Sequence, residues 1–221
     1  MSQTRRPRTG LSRDRVLEGA IRLADAGGIH SLTIRSLAAE LGVKPMSIYY
    51  YVADKDAILD GLVDLVFSEI YRPQPGQDWR AEMLRRCQSA RAVLKRHRWA
   101  IGLLESRTHP GPETLRHHDA VLGTLRAGGF SRPLTAHAYA LIDSYLYGFA
   151  LQEAALPFEG PDGVDEVAAS VMPLMTPEAY PHLVDMTTSY YLRPGYDFGA
   201  EFEFGMGLLL DALAQLAAQQ R

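Results

Sequence analysis

Residues 33–55, TIRSLAAELGVKPMSIYYYVADK, read as a helix, a tight turn, a second short helix and the start of a third. Leu37 and Leu41 stand i, i+4 on one face of the first helix. Ala38 is small where two helices must come close, and Gly42 falls where the first helix has to end in a left-handed conformation that costs glycine nothing. Ile48 returns one apolar side chain to the core beside Val43. Lys44, Pro45, Met46, Ser47, Tyr49 and Tyr50 are left facing outward. Short polar and aromatic residues at the N-terminus of the second helix of such a pair suit a major groove.

Working outward, Thr33 is the N-cap candidate for the first of these helices, and Asp54 for the helix after them. Upstream, Ser12 has an N-cap's character, with Arg15 where a capping box would place Glu. A helix from there to Gly27-Gly28 would bury Val16, Leu17, Ala20, Ile21, Leu23 and Ala24. Arg5, Arg6 and Arg8 make residues 1–10 a flexible basic arm. Downstream, Ile58, Leu59, Leu62, Leu65, Val66 and Phe67 give a helix to about Tyr71, which Pro73 and Pro75 stop. Beyond Gln77 the pattern stays helical: 78–97 behind an Asp78 cap, 99–106, 113–127, and a long helix 133–156 behind Ser131. A loop LPFEGPDG follows, then short helices within 164–194 and a last helix 197–219. The expected fold is all-α with nine or ten helices, divided into the arm 1–10, a head 11–56 and a larger body 57–221.

Of 23 Lys/Arg and 26 Asp/Glu, residues 1–56 hold nine and six, so the head is net positive and the body net negative. A basic head suits phosphates, and an acidic body is repelled from them. No apolar run is long enough to span a membrane, and one cysteine, Cys87, excludes an intrachain disulfide and fits a reducing cytoplasm. Cys87 reads as a buried inert thiol rather than a redox sensor. No G-x-G-x-x-G, P-loop or G-x-S-x-G pattern supports an enzyme or a cofactor. No metal site is expected. His117 and His118 are adjacent and diverge on a helix, His117 beside Asp119 reads as a solvated face, and His97, His109 and His182 show no partners.

Residues 11–72, with VLEGAIRLADAGG followed by LTIRSLAAELGVKPMSIYYYVADKDAILDGL, closely resemble the N-terminal domain of TetR-type transcriptional repressors. HRWAIGLLES, LRAGGF and the long helix ending FALQEAAL resemble the tetracycline-repressor branch. The resemblance implies a homodimer with two heads on a near-palindromic operator in double-stranded DNA and a small-molecule inducer in each body. Carried across by position, it puts Thr33 and Arg35 near phosphates and base edges, and Lys44, Pro45, Met46 and Ser47 in the groove. Tyr49, Tyr50 and Tyr51 line the groove and Lys55 contacts backbone, with Tyr49 or Tyr51 turning inward instead. At positions where the tetracycline branch holds drug and metal with His and Asn, this chain has Tyr71, Arg86 and Leu104, so tetracycline–magnesium is a poor fit.

Candidate pocket residues are Trp99, Leu103, Arg107, Tyr139, Asp143, Tyr147, Met172, Met175 and Tyr190, aromatic and Met walls suited to a flat or greasy molecule. Asp143, amid apolar and aromatic neighbours, needs a partner, for which Ser144 and Arg107 are candidates. Helices 133–156 and 198–218 are the expected dimer pair, through Phe202, Gly205, Met206, Leu209, Leu213 and Leu216, with small residues Gly148, Ala150 and Gly207 allowing close approach. The expected mechanism is a ligand-driven shift of the fourth helix through its contact with residues 98–106, which separates the heads. The alternative is a DNA-binding regulator without a small-molecule inducer, controlled by a protein partner or constitutive.

Overall fold

A computed structural model describes residues 10–104, 106–157 and 164–219. The arm with Arg5, Arg6 and Arg8 and most of the LPFEGPDG loop lie outside the described residues. Ten α-helices and no strand occur among the described residues. The first four are α1 (Arg13–Gly27), α2 (Ile34–Leu41), α3 (Pro45–Ile48) and α4 (Lys55–Glu69). They are followed by α5 (Trp79–Arg96), α6 (Pro112–Ala127), α7 (Arg132–Ala155), α8 (Val164–Val171), α9 (Pro181–Met186) and α10 (Ala200–Ala218).

The starts follow the capping residues of the sequence. Ser12 accepts from the Arg15 amide, Asp54 from that of Ala57, Asp78 from that of Arg80 and Ser131 from that of Leu134. Thr33 and Ser36 complete a reciprocal capping box at α2, with Ser in place of the usual Glu. Gly42 adopts φ 66° and ψ 36°, and the amides of Gly42 and Val43 close back on Ala39 and Ala38. That tight stop lets α3 leave in a new direction.

Two apolar cores meet along α4. The head core joins Val16, Leu17 and Ala20 of α1, Leu37, Ala38 and Leu41 of α2, Ile48, Val52, and Ile58 and Leu62 of α4. A Cβ on Gly19 would lie 2.8 Å from Leu41, and one on Gly61 2.7 Å from Leu17, so both close approaches exclude any larger residue without repacking. The body core takes Val63, Val66 and Phe67 from the same α4, then Met83 to Leu94 of α5, and the inner faces of α6, α7 and α10. One rigid helix therefore belongs to both cores.

Three expectations need correction. Among the described residues of 98–106 there is no α-helix. A single 3-10 turn at Arg98–Ala100 and further turns replace it, because His97 and Trp99 both reach back to Asp25 of α1 and hold the chain across the seam. In α10, Phe202, Met206 and Leu213 are buried within their own chain together with Leu210 and Ala217. Leu216, expected with them, is 45% exposed and stands with Phe204 and Leu208 (67 and 57% exposed) and with Leu141 and Leu151 on α7. Gly205 serves an internal contact: a Cβ there would lie 2.1 Å from the Tyr145 hydroxyl, which donates to the Glu201 carbonyl. Gly148 and Gly207 meet nothing and stay on the open side.

Candidate functional site

The outward surface of α2 and α3 carries the sequence-predicted head residues. Thr33, Arg35, Lys44, Pro45, Met46 and Lys55 are exposed, and Ser47 is half-buried. Among the described residues, Arg35, Lys44 and Lys55 make no ion pair, so their charges face solvent. Thr33 spends its hydroxyl on the capping box, which leaves its exposed methyl and the helix start for any contact. Met46 and Tyr50 protrude most, at 71 and 87% exposure. Tyr49 and Tyr51 are exposed too, contrary to the expectation that one of them packs inward. The inward positions are filled by Ile48 and Val52, one i, i+4 step apart, and the short α3 offers no third.

The body presents a different kind of site. Arg86 of α5 is fully buried, in contact with His117 of α6 and Asp143 of α7. Its Nε donates to His117 Nε2 at 3.1 Å and its Nη1 to Asp143 Oδ1. Asp143 therefore pairs with Arg86, not with Ser144, which is exposed, nor with Arg107. Burial alone would lower the Arg86 pKa, but the adjacent Asp143 carboxylate holds it above its ordinary value. Burial, then the Arg86 charge, pushes His117 down to about 3. His117 is thus a neutral buried ring and not part of a solvated face. Among the described residues, Arg86 Nη2, His117 Nδ1 and Asp143 Oδ2 find no hydrogen-bond partner. Aromatic rings stand beside them: Phe67 is 5.2 Å from both the His117 and His118 rings, and the Tyr139 hydroxyl is 2.5 Å from His118 Nδ1. Burial raises the neighbouring Cys87 thiol to about 11 and keeps it unreactive.

Of the nine residues expected around a pocket, Tyr139, Asp143 and Tyr147 share one face of α7 toward this cluster. Leu103 packs on the body core without joining the cluster. Trp99 and Arg107 sit on the seam. Trp99 Nε1 donates to Asp25 at 2.7 Å, and Arg107 donates to Asp60 at 2.6 Å and Asp56 at 3.0 Å on α4. Met172 and Met175 lie outside the body core, and Tyr190 stacks edge-on with Tyr191 and Tyr196. His97 has partners after all: Nδ1 meets Asp25 at 2.7 Å and Nε2 meets Glu69 at 3.3 Å. A separate cavity of about 80 Å³ between α5, α7 and the start of α10 is lined by Arg91, Lys95, Glu153 and Asp197. Arg91 and Glu153 there grip each other through two bonds of 2.9 and 2.8 Å.

The head and the body also meet through α4 and α6. Asp64 of α4 accepts from the Thr114 amide at 2.8 Å and hydroxyl at 3.0 Å, and so caps the first turn of α6. Gly111 leaves room for that carboxylate, which a Cβ would meet at 2.2 Å. His117 lies one turn along the same helix.

Residues 16–62 match the description "Bacterial regulatory proteins, tetR family", and residues 72–217 match "Tetracyclin repressor-like, C-terminal domain". The chain belongs to the tetR family. It is a DNA-binding transcriptional regulator. The HTH-type transcriptional repressor DrrR1 of Streptomyces coeruleorubidus is 33% identical over 99% of this chain and 83% of its own. The class A tetracycline repressor of Escherichia coli is 28% identical over 94% of this chain and 92% of its own. Among solved structures, the tetR-family protein ActR of Streptomyces coelicolor in complex with actinorhodin has a TM-score of 0.76 at 25% identity, covering 93% of this chain and 96% of that one.

Within this tetR-family chain, sequence reasoning missed the Arg86–His117–Asp143 cluster. The signal was present. Arg86 stands on the stripe Met83, Cys87, Ala90, Leu94, and His117 on the stripe Thr114, Val121, Thr124, both on buried faces. A charged or polar residue on an apolar stripe demands a partner, but the sequence does not say which.

Proposed function

We propose that the chain is a repressor that binds a near-palindromic operator as a homodimer and is released by a small molecule entering the body at the Arg86–His117–Asp143 cluster. Exposed Lys44, Met46 and Tyr50 and half-buried Ser47 enter the major groove, with Arg35, Tyr49, Tyr51 and Lys55 on its walls and backbone and Thr33 at the edge. The open apolar faces of α7 and α10 pair with those of a second copy in a four-helix arrangement. That ActR is known in complex with actinorhodin supports a small-molecule effector for this body.

The observation that carries the coupling is the Asp64 cap. A ligand that moves α6 at His117 pulls on the Thr114–Asp64 contact, and α4, shared by both cores, tilts the head. The seam residues Arg107, Trp99 and His97 set the pivot through Asp60, Asp25 and Glu69. The coupling reaches only as far as the ligand's differential affinity for the two states, of order 1–3 kcal/mol or about 5- to 150-fold in operator affinity. Fluorescence anisotropy with DNA from upstream of the chain's own gene, against a scrambled duplex at low and physiological salt, tests the reading. A preference of at least about 10³-fold that survives salt is expected. Equal, salt-labile binding to both would count against it.

A further inference from the structure

The body grips the head at a point away from the helix they share. The Arg107 links to Asp56 and Asp60 and the Thr114 link to Asp64 all end on α4. A further link ends on α1, where Asp25 Oδ1 lies 2.7 Å from His97 Nδ1 and 2.7 Å from Trp99 Nε1. A carboxylate only accepts, so two body groups donate to one head oxygen.

Three observations set this clasp apart from a chance surface contact. Trp99 packs on the head core and the body core at once. His97 is buried with its ring 6.0 Å from that of Trp99, and its Nε2 meets Glu69 at the last residue of α4. Asp25 stands in the last turn of α1, where the helix dipole disfavours a negative charge, so it does not serve its own helix.

Two bodies that share one helix can still turn about its axis, and a contact off that axis fixes the angle. The angle matters on a duplex. Each base pair added between two half-sites moves the second by about 3.4 Å and turns it by roughly 34°. A head held at one angle accepts one spacing, whereas a head free to turn accepts its neighbours as well.

We propose that the Asp25–His97–Trp99 clasp sets the half-site spacing that the chain selects, with Asp25 as a positioning residue. It acts through the angle at which α3 is held and not through contact with bases. The inference rests on the reading of a homodimer on a near-palindromic operator.

Selection by the full-length protein from a pool of randomised duplexes, followed by sequencing, reads the distribution of half-site spacings. The wild type is expected to favour one spacing over those one base pair longer or shorter by at least about tenfold. In Asp25→Ala that ratio should fall at least about fivefold, with the half-site sequence unchanged. Asp25→Asn keeps an oxygen for both donors and should stay within about twofold of the wild-type ratio. Trp99→Phe keeps a ring on both cores but loses its N–H, and should fall between the two. A merely destabilised head would lower recovery of every spacing alike and leave the ratio as it was. An unchanged ratio in a folded Asp25→Ala, or an Asp25→Asn as broad as Asp25→Ala, would overturn the clasp. If Asp25→Ala does not fold, the order of Asp25→Asn and Trp99→Phe decides. A wild type without a spacing preference would sink the two-fold reading together with this inference, whereas a sharp wild type beside an equally sharp Asp25→Ala would sink this inference alone.

Discussion

On the function proposed above, the head works through what it exposes, and the body through what it buries. On α3 the informative side chains stand in water, held by Ile48 and Val52 beneath them. In the body the informative side chains are Arg86, His117 and Asp143, contributed by three helices and shielded from water. The proposed sites thus follow two opposite strategies. A surface that meets a large polyanion needs unpaired charge and protruding groups, whereas a site that senses a small molecule needs polar atoms held in reserve where water cannot satisfy them.

This contrast predicts that the two regions break differently. Asp143→Ala should cost about 3–5 kcal/mol in chemical denaturation, because it leaves the Arg86 charge buried and alone. Replacing both partners with apolar residues of similar size should recover most of that loss. If Asp143→Ala were as stable as the wild type, the cluster would not be the buried ion pair described. Tyr50→Ala and Lys55→Ala should do the reverse. Each should weaken operator binding by at least about tenfold in anisotropy while leaving the melting transition within about 0.5 kcal/mol of wild type. Retained affinity in both would remove these residues from the DNA surface.

Acid should single out the body. His117 stays neutral in the folded chain down to about pH 3, while the unfolded chain takes up its proton near the ordinary 6.5. The unfolded state thus binds more protons between those limits. Stability contributed by the neutral ring is full above about 6.5 and is lost as the pH falls toward 3, by up to about 1.4 kcal/mol per pH unit. Carboxylates such as Glu153, held low by the Arg91 hydrogen bonds, add their own loss in acid. The difference between wild type and His117→Gln isolates the ring, because Gln keeps an acceptor for Arg86 Nε and does not titrate. Parallel pH profiles for the two proteins would mean that His117 is not buried as described. Asp64→Ala is the mildest test, costing about 1 kcal/mol as a lost helix cap, and a neutral result would weaken the link between α4 and α6.

The head was legible because its chemistry is local. The turn at Gly42, the caps at Thr33 and Asp54 and the alternation of buried and exposed residues all lie within one short stretch, and each has a single-residue cause. Only the fate of the tyrosines escaped, since an inward turn of Tyr49 or Tyr51 depended on Val52 not taking that place. The helices around Asp78, Ser131 and the glycines after Ala127 were legible for the same reason, while the turns that replace a helix after His97 were not. The body site was not. Arg86, His117 and Asp143 are 31 and 26 residues apart along the chain, and their meeting is a product of how α5, α6 and α7 pack. The apolar excess of α10 likewise hid which of its stripes faces inward: Phe202 and Phe204 are equally hydrophobic, and only packing against Phe149 and Tyr145 chooses the former.

The most direct test of the account is selection of bound sites from a pool of randomised duplexes by the full-length protein, followed by sequencing. The account predicts a near-palindromic consensus whose half-sites lie about one helical turn or somewhat more apart, and its loss in Tyr50→Ala. Recovery of sequences with no enriched motif, or of a motif without two-fold symmetry, would contradict it.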